Sequence, residues 1–268
     1  MRANTANDED MPGYLQLLTL TSVHAFKNEA VDVAIYEVHA GGRKDATNVF
    51  ERPVACGFTT IGLDHIDLLG NTIQSITWHK SGVMKSGRPA YSVIQEAAAT
   101  EVLEKEAAEL DCPLEFVDTY ARLPEHPRLR MPVQKQNASL AIQLASAYLG
   151  TLNDELNADD VIIGTSLCDW PGRFQIIESG PRRWALDTAH NLLSLPVALA
   201  WFESEIQLSN PPHQDLRRVL IFGHESARDT RELIATIVRF CDEHDFLFDL
   251  VILSPYERYG TLMNICCS

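Results

Sequence analysis

The apolar residues of this chain fall into short runs separated by stretches of helical period, and the two patterns alternate along most of its length. Seven runs rich in β-branched and aromatic residues, at 31–38, 52–61, 88–95, 114–118, 183–187, 217–223 and 248–254, predict strands. Six segments, at 14–29, 70–80, 96–110, 137–149, 190–206 and 229–244, predict helices, with Asn71, Asn137 and Asp229 as opening caps. Strand and helix in turn predict an α/β fold with a largely parallel sheet, because parallel neighbours need a crossover between them. The rhythm breaks at "CDWPGRFQIIESGPRRW", residues 168–184, where prolines and glycines sit among charges. A domain boundary is expected there, giving one domain over 1–171 and a second over 172–268.

Charge narrows the partners. The chain carries 22 Lys and Arg against 37 Asp and Glu, a net charge of -15, and no cationic block that would neutralise a row of phosphates. Nucleic acid and anionic membrane are therefore not expected partners, and no run of about 18 apolar residues predicts a membrane span. Six cysteines without C-x-x-C spacing and a polar opening, "MRANTANDED", point to a reducing, cytoplasmic setting. A mitochondrial form would need a further N-terminal segment. Nothing in the sequence sets the oligomeric state.

In open parallel sheets, ligands gather beyond the carboxyl ends of strands, so polar residues just after an apolar run come first. Glu37 closes the run 31–38 ahead of Gly41, Gly42, Arg43, Asp45 and Asn48, and a carboxylate ending a buried strand requires a cation or donor. The run 52–61 leads through Gly62 to Asp64 and His65. Lys80 ends the helix that starts near Asn71, where a cation suits the helix dipole. Taken singly, Glu37 reads as readily as a structural ion pair, while His65 and Lys80 read more readily as a loop histidine and a solvated charge.

Their order and spacing say more. "EVHAGGRKDATN" (37–48), "GLDHIDLLG" (62–70), "KSGVMK" (80–85), "QKQNASLAIQLA" (134–145), "DWPGRFQII" (169–177) and "LDTAHN" (186–191) together resemble the folylpolyglutamate synthase family, part of the Mur-ligase group. The resemblance runs from about Met11 to Pro255. It implies a partial Mur-ligase-type central ATPase domain followed by a partial Rossmann-like C-terminal domain. The implied activity is an ATP-dependent amide ligase that adds L-glutamate to a folate through an acyl phosphate. A ligase for another carboxylic acid and a non-catalytic relative serving as an interaction subunit are the alternatives.

By the same resemblance, Glu37 and His65 would ligate Mg²⁺ and Lys80 would carry a carbamate. Asn137 would contact adenine, Arg173 the γ-phosphate of ATP, Asp187 the ribose, and His190 phosphate or acyl phosphate. Three departures stand out. Val133 occupies a position usually held by histidine, and Thr188 replaces a glycine, which would be strained if the backbone there has positive φ. The third is the absence of any Gly-Lys dipeptide, so the family's phosphate-cradling loop is not in this sequence. The chain therefore reads as truncated at its N-terminus and in its C-terminal domain, with sheet edges left unpaired.

Overall fold

The computed structural model describes residues 11–208, 217–224 and 230–255. The expected cap Asp229 and the terminal cysteines Cys266 and Cys267 lie outside the described residues. Two compact units emerge. One comprises the described residues up to Pro124 together with Pro132–Thr165, and the other Glu125–Met131 with the described residues from Ser166 onward.

The first unit opens with helix α1 (Tyr14–Asn28), followed by β1 (Cys56–Phe58), α2 (Ile66–Leu69), α3 (Ile73–Ser81), β2 (Ala90–Val93), α4 (Ala97–Leu110), β3 (Leu114–Val117), α5 (Pro132–Thr151) and α6 (Ala158–Ser166). Its sheet is parallel throughout, in the order β1-β2-β3, with Cys56 opposite Ala90 and Ala90 opposite Leu114. The Ala-, Glu- and Leu-rich sequence of α4 favours helix at almost every position. Leu103 and Ala99 of α4 are fully buried with Ile76 of α3 and Ala90 of β2, which fixes α3 and α4 in one core.

The run 31–38 is not a strand. Its β-branched content favours an extended backbone, but a strand exists only when a neighbour completes the ladder, and no described segment pairs with it. Ile35 stands 88% exposed. Side chains hold the segment instead: the Tyr36 ring packs edge-on to Phe26 and against Phe50, while the Tyr148 hydroxyl of α5 donates to the Asp32 carbonyl at 3.1 Å.

Two caps also differ from expectation. Thr72, not Asn71, caps α3, its hydroxyl accepting the Ser75 N–H at 3.1 Å. Helix α5 begins at Pro132, a residue whose missing N–H costs nothing in a first turn, so Asn137 lies inside the helix rather than at its start.

The second unit begins near the expected boundary, and the predicted strand at 183–187 is there one half of a hairpin. Strands β4 (Gln175–Ser179) and β5 (Arg182–Leu186) form an antiparallel hairpin, turned at Gly180 with φ of 56°. Helix α7 (Ser194–Leu208), β6 (Val219–His224), α8 (Thr230–Glu243) and β7 (Leu250–Pro255) follow, and β6 pairs parallel with β7. Leu233, Ile237 and Phe240 recur along one side of α8 and pack with Leu195, Leu199 and Phe222. Glu205 of α7 is buried between two guanidinium groups, Arg130 at 2.8 Å and Arg183 at 2.7 Å. That pairing explains why the segment Glu125–Met131 belongs to this unit. Among the described residues no helix is long and apolar enough to cross a membrane.

Candidate active site

In the first unit the site is built where loop 39–48 lies against the C-terminal end of α3. Lys80 occupies the last turn of that helix, half-buried. Burial pushes its ammonium below the usual lysine range, and the nearby Asp64 and Asp45 carboxylates partly offset that effect. The loop reaches the helix through glycine. A side chain at Gly42 would meet the Lys80 carbonyl oxygen at 2.6 Å, so only a residue without Cβ lets the two backbones come this close.

Asp45 organises the loop. Its Oδ2 accepts the N–H groups of His39 at 3.1 Å and Ala40 at 2.9 Å, while Oδ1 accepts the N–H of Thr47 at 2.9 Å and its hydroxyl at 2.6 Å. Burial alone would push this carboxyl up, but the four hydrogen bonds together hold it below the ordinary aspartate value. A lowered carboxylate stabilises the folded state above its unfolded pKa and loses that contribution as pH falls through its folded value. Asp45→Asn is therefore expected to cost about 1–2 kcal/mol at neutral pH, with the gap from the native chain closing below about pH 4. Denaturant midpoints measured across that range check it.

Asn48 joins the same corner. Its Nδ2 donates to the Gly82 carbonyl at 3.0 Å, and Lys85 donates to its Oδ1 at 2.8 Å. His65 caps α2 in the left-handed conformation, φ 52°, with its carbonyl accepting from Leu68 and Leu69 and its own N–H held by Asp64 Oδ1 at 2.9 Å. Asp64 thus supports the turn that presents His65 while lying within electrostatic range of Lys80. Glu37 is exposed in the unpaired segment, and among the described residues no hydrogen bond or ion pair joins it to His65 or Lys80. Asn137 donates from Nδ2 to Gln134 Oε1 at 3.1 Å, leaving its buried Oδ1 with no hydrogen-bond partner. A buried amide oxygen without a donor is costly unless something supplies one.

The second unit gathers the remaining residues. Asp187 accepts the Phe174 N–H at 3.0 Å and the Ala189 N–H at 2.8 Å, so one carboxylate ties the Trp-Pro-Gly-Arg loop to the "LDTAHN" turn. Gly172, at φ 75°, faces Thr188, whose Cγ2 lies 3.3 Å from where a side chain would begin. Thr188 itself is not among the residues with positive φ, so its replacement of glycine brings no backbone strain. Arg173 is exposed and, among the described residues, carries no ion pair. The His190 ring nitrogen Nδ1 lies 2.8 Å from the Thr188 carbonyl, which fixes its orientation.

Asp45 stands in the polar stretch after Glu37 in the sequence, but its part in organising the loop is not legible from the pattern alone. The nearest local signal is Asp followed two residues later by Thr, a spacing at which a carboxylate commonly bonds the backbone ahead of it.

No protein-family profile matches the chain. It is 37% identical over 263 residues to the folylpolyglutamate synthase of Neurospora crassa, covering 93% of this chain and 49% of that protein. Among solved structures, the apo form of L. casei FPGS superposes with a TM-score of 0.75 at 24% identity, covering 96% of this chain and 63% of that one. An FPGS-AMPPCP-folate complex superposes with a TM-score of 0.71 at 24% identity, covering 88% and 59% respectively. The chain spans about half the length of the relatives it matches in sequence, and its fold is that of these structures.

Proposed function

We propose, from the premise that this chain is homologous to the folylpolyglutamate synthases over about nine tenths of its length, that it contributes the metal-side and nucleotide-side residues of an ATP-dependent ligase joining L-glutamate to a folate. The observation that carries the reading is the setting of Lys80. Burial favours the neutral amine, the form that attacks CO₂, and the reaction yields a carbamate with release of one proton to solvent. The carbamate is an anion beside Asp64 and Asp45, so it is stable only when a cation offsets the crowding of negative charge.

Among the described residues no three His, Cys, Asp or Glu side chains gather as a metal cluster. By the resemblance, Glu37, His65 and carbamate oxygens from Lys80 would together hold Mg²⁺, the carboxylate and carbamate supplying the oxygens that a hard cation requires. Bound there, the ion would neutralise charge on the transferring phosphoryl group. The chain's own residues do the rest. The orphaned Oδ1 of Asn137 matches a donor such as the adenine amino group, and the unpaired fork of Arg173 suits phosphate oxygens. Asp187 retains lone pairs for a ribose hydroxyl beyond its two backbone bonds, and His190 would meet phosphate or acyl phosphate by the resemblance.

The test is a chimera in which this chain replaces the matching segment of the Neurospora crassa enzyme. Folate-dependent incorporation of labelled glutamate is the expected result. A folded chimera that incorporates none, with tetrahydrofolate and ATP both saturating, would contradict the reading.

A further inference from the structure

We propose that Arg43 is a positioning residue for Lys80, acting through the last turn of α3. The importance of Lys80 rests on the ligase reading above, whereas the geometry that points to Arg43 stands apart from it. The last carbonyls of a helix lack intrahelical donors, and those of α3 belong to the residues around Lys80. Two of the chain's own bonds at this end are long, Gly82 N–H to the His79 carbonyl and Val83 N–H to the Lys80 carbonyl both at 3.4 Å, whereas Met84 N–H reaches the Ser81 carbonyl at 2.9 Å and the Ser81 hydroxyl the Trp78 carbonyl at 2.8 Å. Arg43 adds shorter and further bonds to the same carbonyls. Its N–H donates to the His79 carbonyl at 2.7 Å, and its Nε and Nη2 reach the Trp78 carbonyl at 3.4 and 3.3 Å.

The guanidinium is itself anchored. Its carbon lies 4.1 Å from the centre of the Trp78 ring, and Nη2 pairs with Glu106 of α4. Glu106 is only a tenth exposed along its side chain, and its other described contact is a 3.5 Å bond from the Ser81 hydroxyl. The chain of contacts thus runs from the core helix α4, through one planar fork, to the Trp78 carbonyl in the turn that carries Lys80, while the backbone N–H of Arg43 holds the neighbouring His79 carbonyl. A lysine in place of Arg43 would keep a cation for Glu106 but could not make the fork.

Competitive trace acetylation of the full chain, read by mass spectrometry as the ratio of Lys80 to Lys105 labelling, tests this. Lys105 is a reference because its side chain is 71% exposed on α4. Arg43→Lys is expected to keep the melting temperature near that of the native chain while raising the Lys80 ratio about fivefold, roughly the loss of one hydrogen bond. Glu106→Gln, which retains an acceptor for the fork, is expected to leave the ratio within about twofold. A ratio unchanged in Arg43→Lys, or one that rises in both variants only in step with lost melting temperature, would show a purely structural role and overturn the proposal. The readout needs neither carbamate nor nucleotide, so it fails or succeeds separately from the ligase reading.

Discussion

Replacing Lys80 by alanine in the chimera is expected to lower glutamate-dependent ATP hydrolysis by at least 10²- to 10³-fold, on the order of losing one preorganised electrostatic contact in a transition state. Alanine has no amine to carry a carbamate, so Glu37 and His65 would lose the oxygens that make their donor set sufficient for a hard cation. Binding of the folate should survive, because nothing in the proposed role of Lys80 concerns that substrate. The loss should therefore appear in kcat far more than in KM. The 268-residue chain by itself is expected to show no such hydrolysis, with or without the substitution. Its sequence has no Gly-Lys pair from which backbone N–H groups and a lysine would cradle the β- and γ-phosphates. Turnover by that chain alone, abolished by Lys80→Ala, would mean that phosphate is held in some other way.

Gly82→Ala is expected to destabilise the first unit by about 3 kcal/mol or more, at the upper end of what overpacking costs. A Cβ there would lie 2.4 Å from the Arg43 Cα and 2.8 Å from its backbone nitrogen, atoms that cannot rotate away as a flexible side chain would. Relief requires loop 39–48 to lift off α3, which breaks the Arg43 N–H bond to His79 and the Asn48 bond to the Gly82 carbonyl together. Gly42→Ala strikes the same seam from the other side, against the carbonyl oxygens of Lys80 and His79 at 2.6 and 2.9 Å. Once either substitution has parted the seam the other has little left to disrupt, so the double variant should cost less than the sum. Urea denaturation of the two single variants and the double one measures all three values.

What the sequence made legible depended on how local each feature is. The placing of Lys80 at a helix end followed from periodicity alone, and the runs that became β2 and β3 are short, apolar and bounded by helices on either side. Strand pairing is not local. The run 31–38 has the composition of a buried strand, yet no described neighbour completes its ladder, and nothing within those eight residues reports that. Strand β4 is hidden for the opposite reason: its residues sit between Gly172 and Gly180, and the turn chemistry that marks a hairpin also looks like an interruption of the pattern. Asparagine favours cap positions, which points to Asn137, whereas Pro132 is the residue that opens α5. The roles of Asp45 and Arg43 depend on which carbonyls and N–H groups a folded loop presents, which side-chain pattern does not encode.

In the proposed ligase, Lys80 would carry a carbamate stabilised by a divalent cation. The most direct measurement is the ¹³C NMR spectrum of the chain equilibrated with ¹³C-bicarbonate, recorded with Mg²⁺, with excess EDTA, and for Lys80→Arg. One carbamate carbonyl resonance is expected with Mg²⁺, weakened by EDTA and missing in Lys80→Arg. A spectrum without that resonance, or one in which it persists in Lys80→Arg, would contradict that role for Lys80.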